Sequence, residues 1–325
     1  MKRYIALICA VLILLLCACN KEESPSKTEA TPTKTEDTLQ SSTNATVTTA
    51  PQLQNPINRM EKLTELDDVI SVSKQAFATN ISGAVAYKVI YRSEYGQLAA
   101  DVVLPEDYVK EYNRYPVLVY FSDVKTYVDT LAADYALNDI IVIHPYARGY
   151  DESKGMRDFG GAKDLADAQK LLAIFDAASF VENSEIFVAG SAEGSVIALR
   201  LLAEDAEKRI SGCAVVDVIT DIAEYSALRG EAIEKISAAL IGKTYEEAPE
   251  EYELRSAINF TEKLDRPILL LHFTQSPFMF IEMTDAFYER LSASNDEVTY
   301  HKINDLKSDF HGEAKDMLVA WINDK

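Results

Sequence analysis

Only four of the 325 residues are cysteine (Cys9, Cys17, Cys19 and Cys213), and only four are histidine (His144, His272, His301 and His311). No CxxC or HxxxH pair occurs, so neither a disulfide framework nor a zinc site finds the ligand spacing it needs. No metal and no cofactor is expected. Basic residues are scarce as well: 32 Lys and Arg face 52 Asp and Glu, a formal net charge of -20. Such a chain repels phosphate backbones, and no local basic patch offsets the repulsion, so nucleic acid is not an expected partner. Apolar residues are plentiful, at 48% hydrophobic against 26% charged, which rules out a wholly disordered protein and supports one core with appendages.

Met1, Lys2 and Arg3 precede an almost unbroken apolar run from Tyr4 to Ala18, too short to cross a bilayer comfortably. Residues 1–18 therefore read as a secretory signal peptide. The run ends Leu16-Cys17-Ala18-Cys19, which resembles a bacterial lipobox: an apolar residue, two small ones, and a cysteine whose thiol receives diacylglycerol. On that resemblance Cys19 is the lipidated first residue, and its acyl chains, palmitate for example, hold the protein on the extracytoplasmic face of the cell membrane. Each buried CH₂ contributes about 0.8 kcal/mol to that hold. An ordinary secretory cleavage and an uncleaved anchor are the alternatives. From Asn20 to Asn58 the chain is rich in Lys, Glu, Ser, Thr, Pro and Gln and has no aromatic residue, so residues 19–58 read as a lipidated cysteine followed by a disordered tether. Random-coil scaling gives that tether a span of roughly 35 Å. Cys213, whose only available partner is the acylated cysteine, is expected buried and inert.

Met60, Leu63, Leu66, Val69, Ile70 and Phe77 recur at helical spacing, which predicts an amphipathic lead-in helix within residues 59–82. Residues 83–325 begin with two alternating β-rich stretches, Ala86 to Arg92 and Gln97 to Leu104, joined at Gly96 as a hairpin. Short apolar runs then alternate with helical patterns. The strands predicted are Val117 to Phe121, Ile140 to His144, Glu185 to Ala189, Cys213 to Val216, Ile268 to His272 and Val298 to Ile303. The helices predicted are Lys163 to Ala178, Gly194 to Glu207, Phe280 to Ala293 and Gly312 to Asn323. This order predicts an α/β fold with a doubly wound, mostly parallel sheet and an N-terminal antiparallel hairpin.

The landmarks along that order are Val103-Leu104-Pro105, Tyr115 to Phe121, Arg148-Gly149, Asp158-Phe159-Gly160-Gly161, Gly190-Ser191-Ala192-Glu193-Gly194, Arg255-Ser256-Ala257-Ile258 and Arg266 to His272. Together they resemble the α/β-hydrolase fold, and specifically the catalytic domain of the prolyl oligopeptidase family of serine peptidases. The resemblance covers roughly Gly83 to the C-terminus and leaves no room for the propeller that often precedes this domain.

The resemblance implies a catalytic triad, and two of its members are replaced. The nucleophile elbow G-x-S-x-G reads Gly190 to Gly194 with Ala192 at the nucleophile position, and a methyl group cannot attack a carbonyl. The acid position falls on Ser276, a neutral hydroxyl that cannot stabilise an imidazolium. The histidine position falls on His311, which either remains from a triad, caps the following helix or binds a ligand. Ser191 and Ser195 stand as substitute nucleophiles or as local hydrogen-bonding groups, and Asp217 as a displaced acid or a loop cap. The oxyanion segment reads Ser122-Asp123-Val124-Lys125 without glycines, and Tyr127 beside it either donates to an oxyanion or packs. His272 is expected to be structural, and His144 and His301 to be strand-end residues. Tyr146, Arg148 and Tyr150 are expected to line the mouth, with Arg148 alternatively anchoring the Asp158 segment. Residues 218–264 correspond to a lid whose acidic run, Tyr245 to Glu253, is either a solvated surface or a gate. The function expected is a lipid-anchored pseudo-hydrolase that binds a peptide, small molecule or protein. An active serine peptidase or esterase and a solute-capture lipoprotein are the alternatives.

Overall fold

The computed structural model describes residues 59–77, 81–110, 112–122, 128–306 and 309–325. The expected signal peptide, Cys19, the tether, Asp123 and Tyr127 lie outside the described residues.

The alternating stretches pair as a hairpin, β2 (Ala84–Ser93) with β3 (Gly96–Pro105), in continuous register from Ala84↔Pro105 to Ser93↔Gly96. Gly96 closes the two-residue turn at φ 130°, a backbone setting that side chains resist. Ahead of the hairpin stands a strand, β1 (Val69–Gln75), antiparallel to β2. This corrects the lead-in helix: only Glu61–Glu65 form a turn of 3₁₀ helix, and the β-branched Val69, Ile70 and Val72 extend along the open edge of β2.

Beyond the hairpin, strand and helix alternate. The strands are β4 (Tyr115–Phe121), β5 (Ile141–Pro145), β6 (Val181–Ser191), β7 (Ile210–Val216), β8 (Ile268–Phe273) and β9 (Val298–Ile303). The sheet order is β1-β2-β3-β5-β4-β6-β7-β8-β9, antiparallel from β1 through the β3–β5 pair and parallel from β5 to β9. Central strands are buried on both faces, which is why they read as unbroken apolar runs.

Alternate side chains feed two cores. Val117, Val119, Val188 and Val215 point toward α2 (Ala162–Asp176) and α3 (Glu193–Ala203). Leu118, Tyr120, Ala189 and Leu271 point toward α1 (Val128–Ala136) and α8 (Glu313–Asn323). Helix α7 (Ile281–Ser292) packs beside β8 and β9. Between β7 and β8 the chain inserts α4 (Ile222–Arg229), α5 (Glu231–Ile241) and α6 (Pro249–Glu253), and Ile222 and Tyr252 seat that insertion on Phe159 and Val196. Cys213 is buried at the centre of β7, and burial pushes its thiol well above the ordinary range, as an inert core residue requires.

Candidate functional site

The parallel strands direct their carboxyl ends to one edge of the sheet, and the turn from β6 into α3 lies on that edge. Ala192 occupies its apex with φ 47° and ψ −117°, left-handed backbone that a non-glycine residue takes only when its surroundings impose it. Those surroundings are close. A Cβ on Gly190 would sit 2.3 Å from the Gly194 carbonyl oxygen, and one on Gly194 would sit 2.1 Å from that of Phe121. Both glycines are therefore required for β6, β4 and α3 to meet, and the Ala192 amide completes the turn by donating to Val216 at 3.3 Å. The elbow geometry is intact, and its apex carries only a methyl group.

The two neighbouring serines are both engaged in hydrogen bonds. Ser195 is fully buried, donates to the Ala192 carbonyl at 2.5 Å and accepts from the Ile219 amide at 3.1 Å. Ser191 faces the opposite core, its Oγ 3.1 Å from the Tyr120 hydroxyl. Both hydroxyls fasten the elbow to neighbouring elements, the local hydrogen bonding that is one of the two roles expected of them.

Tyr120 in turn donates to Asp309 Oδ1, which also accepts from the Phe310 amide at 2.7 Å. Burial, reinforced by the Asp309 charge, pushes the Tyr120 phenol well above its ordinary value. A polar chain thus runs from Ser191 through Tyr120 to the loop that carries His311. His311 Nε2 lies 3.7 Å from Asp309 Oδ2, a carboxylate two residues upstream. Ser276 follows β8 and its hydroxyl accepts from the Met279 amide at 3.3 Å, closing a turn.

Asp217, at φ 49° after β7, is completely buried. It accepts from the Phe273 amide at 2.9 Å and lies 3.6 Å from His272 Nδ1, which also meets Thr284 Oγ1 at 2.9 Å. Burial lowers the His272 pKa, although Asp217 opposes that shift. Asp217 ties β7 to β8 through the Phe273 amide. His144 is buried with Nδ1 3.0 Å from the Tyr120 carbonyl, and His301 is exposed on β9.

Beside the elbow the structure opens two adjoining cavities of about 60 and 130 Å³, both bordered by Ser122, Tyr146, Arg148 and Arg157. Three of the expected binding residues therefore share one cleft, and Tyr150 borders the larger cavity. Tyr146 donates to Asp101 at 2.6 Å. Arg148 is held by Asp167 at 2.6 Å and by the Tyr95 and Lys154 carbonyls at 3.0 and 3.1 Å. It anchors the hairpin turn to the 149–155 loop. The Asp158 segment is instead fixed by Arg255, whose Nη2 reaches Asp158 Oδ1 at 3.1 Å, and by Asp164, which accepts from the Asp158 and Gly160 amides at 3.2 and 2.9 Å. Burial raises the Asp164 pKa.

Sequence reasoning missed Arg157 and Glu193, which form an ion pair bordering this cleft, Glu193 directly following the apex. The signal available was Glu193 itself, a charge one step from the nucleophile position. Among the described residues no cluster of His, Cys, Asp and Glu is arranged to hold a metal ion.

The sheet order, the elbow and the inserted helices define an α/β-hydrolase fold. No protein-family model matches the chain. It is 26% identical over 160 residues to the "Uncharacterized peptidase YtmA" of Bacillus subtilis (strain 168), a match that spans 48% of this chain and 60% of that relative. Among solved structures, the acetyl xylan esterase from Paenibacillus sp. R4 is similar with a TM-score of 0.61 at 14% identity, covering 82% of this chain and 92% of that one. Porphyromonas gingivalis dipeptidyl peptidase 4 is similar with a TM-score of 0.57 at 15% identity, covering 74% of this chain but 35% of that one. Esterases and peptidases are matched alike, so the fold alone does not choose between their chemistries.

Proposed function

We propose that this protein is an extracytoplasmic lipoprotein, anchored through Cys19, whose hydrolase-like domain is catalytically silent and binds a ligand in the cleft beside the elbow. One observation carries the reading: Ala192 holds the strained backbone of a nucleophile while offering no nucleophilic atom. Two others support it. Ser191 and Ser195 are engaged in hydrogen bonds to neighbouring elements, and Ser276 closes a turn. The cleft remains open although the chemistry has lost its parts.

The test uses the full chain solubilised in detergent. No turnover of p-nitrophenyl acetate or of chromogenic dipeptides is expected, and no labelling by a fluorophosphonate. Turnover that vanishes in Ser191→Ala, Ser195→Ala or His311→Ala would establish an active hydrolase instead. Anchoring is tested separately by metabolic labelling with radioactive palmitate in a bacterial host, where label is expected in the parent and absent from Cys19→Ala.

A further inference from the structure

The larger of the two cavities beside the elbow has a lining unlike the rest of the chain. Its polar border consists of Ser122, His144, Tyr146, Arg148, Tyr150 and Arg157, and none of the described residues bordering it is acidic. In a protein of net charge -20, two guanidinium groups on such a wall are a local exception. The carboxylates that reach these side chains do so from outside the cavity and are engaged there. Asp101 accepts from Tyr146, Asp167 holds Arg148, and Glu193 pairs with Arg157. Asp151 and Glu152 share Lys88, whose Nζ stands 5.3 Å from the centre of the Tyr146 ring.

These contacts do not use up the donors of the two arginines. Arg148 is fixed through its terminal nitrogens by Asp167 and the Tyr95 and Lys154 carbonyls, which leaves Nε buried with no acceptor among the described residues. A buried donor of that kind calls for a partner, and the cavity that Arg148 borders gives one room. Arg157 engages Glu193 through Nη2 and keeps 35% of its side chain exposed, so Nε and Nη1 serve a second acceptor while that ion pair stays in place. A planar guanidinium edge matches the two oxygens of a carboxylate. Size sets the body of the ligand: at about 130 Å³ the cavity approaches the roughly 150 Å³ that accommodates benzene, so about five or six non-hydrogen atoms fit. Tyr146 and Tyr150 meet edge to face with ring centroids 6.4 Å apart and offer an apolar flank to a short carbon chain.

We propose that the larger cavity binds a short organic acid, its carboxylate accepting from Arg157 against the fixed guanidinium of Arg148. This rests on the reading of the domain as a binding protein and names the ligand class of that site.

The experiment measures thermal unfolding and calorimetric binding of the full chain in detergent, at constant ionic strength, with butyrate, butyramide, butylamine, inorganic phosphate, a dipeptide panel and a monosaccharide panel. Expected is saturable stabilisation by butyrate, at least tenfold weaker binding of butyramide, butylamine and phosphate, and at least tenfold loss of butyrate affinity in Arg157→Ala. Arg157→Lys, which keeps the charge without the planar fork, is expected to bind butyrate with intermediate affinity, and near-UV circular dichroism checks that each variant folds. Butyramide or butylamine binding as tightly as butyrate overturns the inference, as does a folded Arg157→Ala that binds butyrate like the parent. Phosphate binding in place of butyrate assigns the arginines to an inorganic anion and overturns it too. If only dipeptides or sugars bind, the organic-acid inference fails while the binding reading stands. Absence of binding by every compound overturns both.

Discussion

Ala192→Ser returns a hydroxyl to the apex of the turn after β6 without asking the backbone to move. The turn already holds φ 47° with a Cβ present, so the strain of that conformation, about 1–3 kcal/mol, is common to both residues. Stability is expected to change by less than about 1 kcal/mol. Catalysis is a different matter. In a comparable serine hydrolase, loss of the nucleophile costs about 2 × 10⁶ in turnover, roughly 8–9 kcal/mol, and loss of the acid alone about 3 × 10⁴, roughly 6 kcal/mol. A chain that regains the nucleophile while Ser276 stays neutral is therefore limited to a gain of about 100-fold over the parent. Adding Ser276→Asp supplies the missing carboxylate and is expected to raise the rate at least a further tenfold. Initial rates on p-nitrophenyl acetate, with fluorophosphonate labelling mapped by mass spectrometry, read both steps. Labelling confined to position 192 in the variants is the expected result. Turnover in the parent that disappears with Ser191→Ala would refute the reasoning, and so would destabilisation of Ala192→Ser by more than about 2 kcal/mol.

Gly194→Ala would drive a Cβ to 2.1 Å from the Phe121 carbonyl oxygen, and the overpacking outweighs the gain in helix propensity; a loss of about 2 kcal/mol is expected in urea unfolding, and a neutral result would contradict the close approach of α3 to β4. Arg255→Ala strands Asp158 next to Asp164 and frees the Glu251 end of α6; breaking such a pair is expected to cost about 3 kcal/mol, with proteolysis starting in the inserted helices. Burial lowers the His272 pKa, so the unfolded chain binds the extra proton and stability falls as pH drops below about 6.5, at up to about 1.4 kcal/mol per pH unit from this group. Urea midpoints at pH 7.5 and 5.5 should differ less in His272→Gln than in the parent, and equal differences would count against a buried neutral imidazole.

The elbow was legible because its requirement is local: two glycines four residues apart between an apolar run and a helix. The central strands were legible for a related reason, since burial on both faces writes itself as uninterrupted Val, Leu and Ile. Where partners are distant in sequence, legibility fails. The residues of β1 fit a helical period as well as an extended one, and only the free edge of β2 decides between them. Helix α1 buries Ala132, Ala133 and Ala136 around Tyr135, and the small side chains leave its periodicity faint. Arg148 read as a mouth residue because its number placed it there, but its guanidinium is spent on Asp167, 19 residues away. The links from Tyr120 to Asp309, 189 residues apart, and from Arg157 to Glu193 exist only once the sheet has brought them together.

The bend at residue 192 also bears on inheritance. Alanine and serine codons can differ by a single base, so one point mutation separates this apex from a reactive one, while the glycines on either side keep the scaffold ready to display it. On the proposed reading such a protein holds chemistry in reserve, and the neutral hydroxyl after β8 limits what a chance serine at residue 192 would restore.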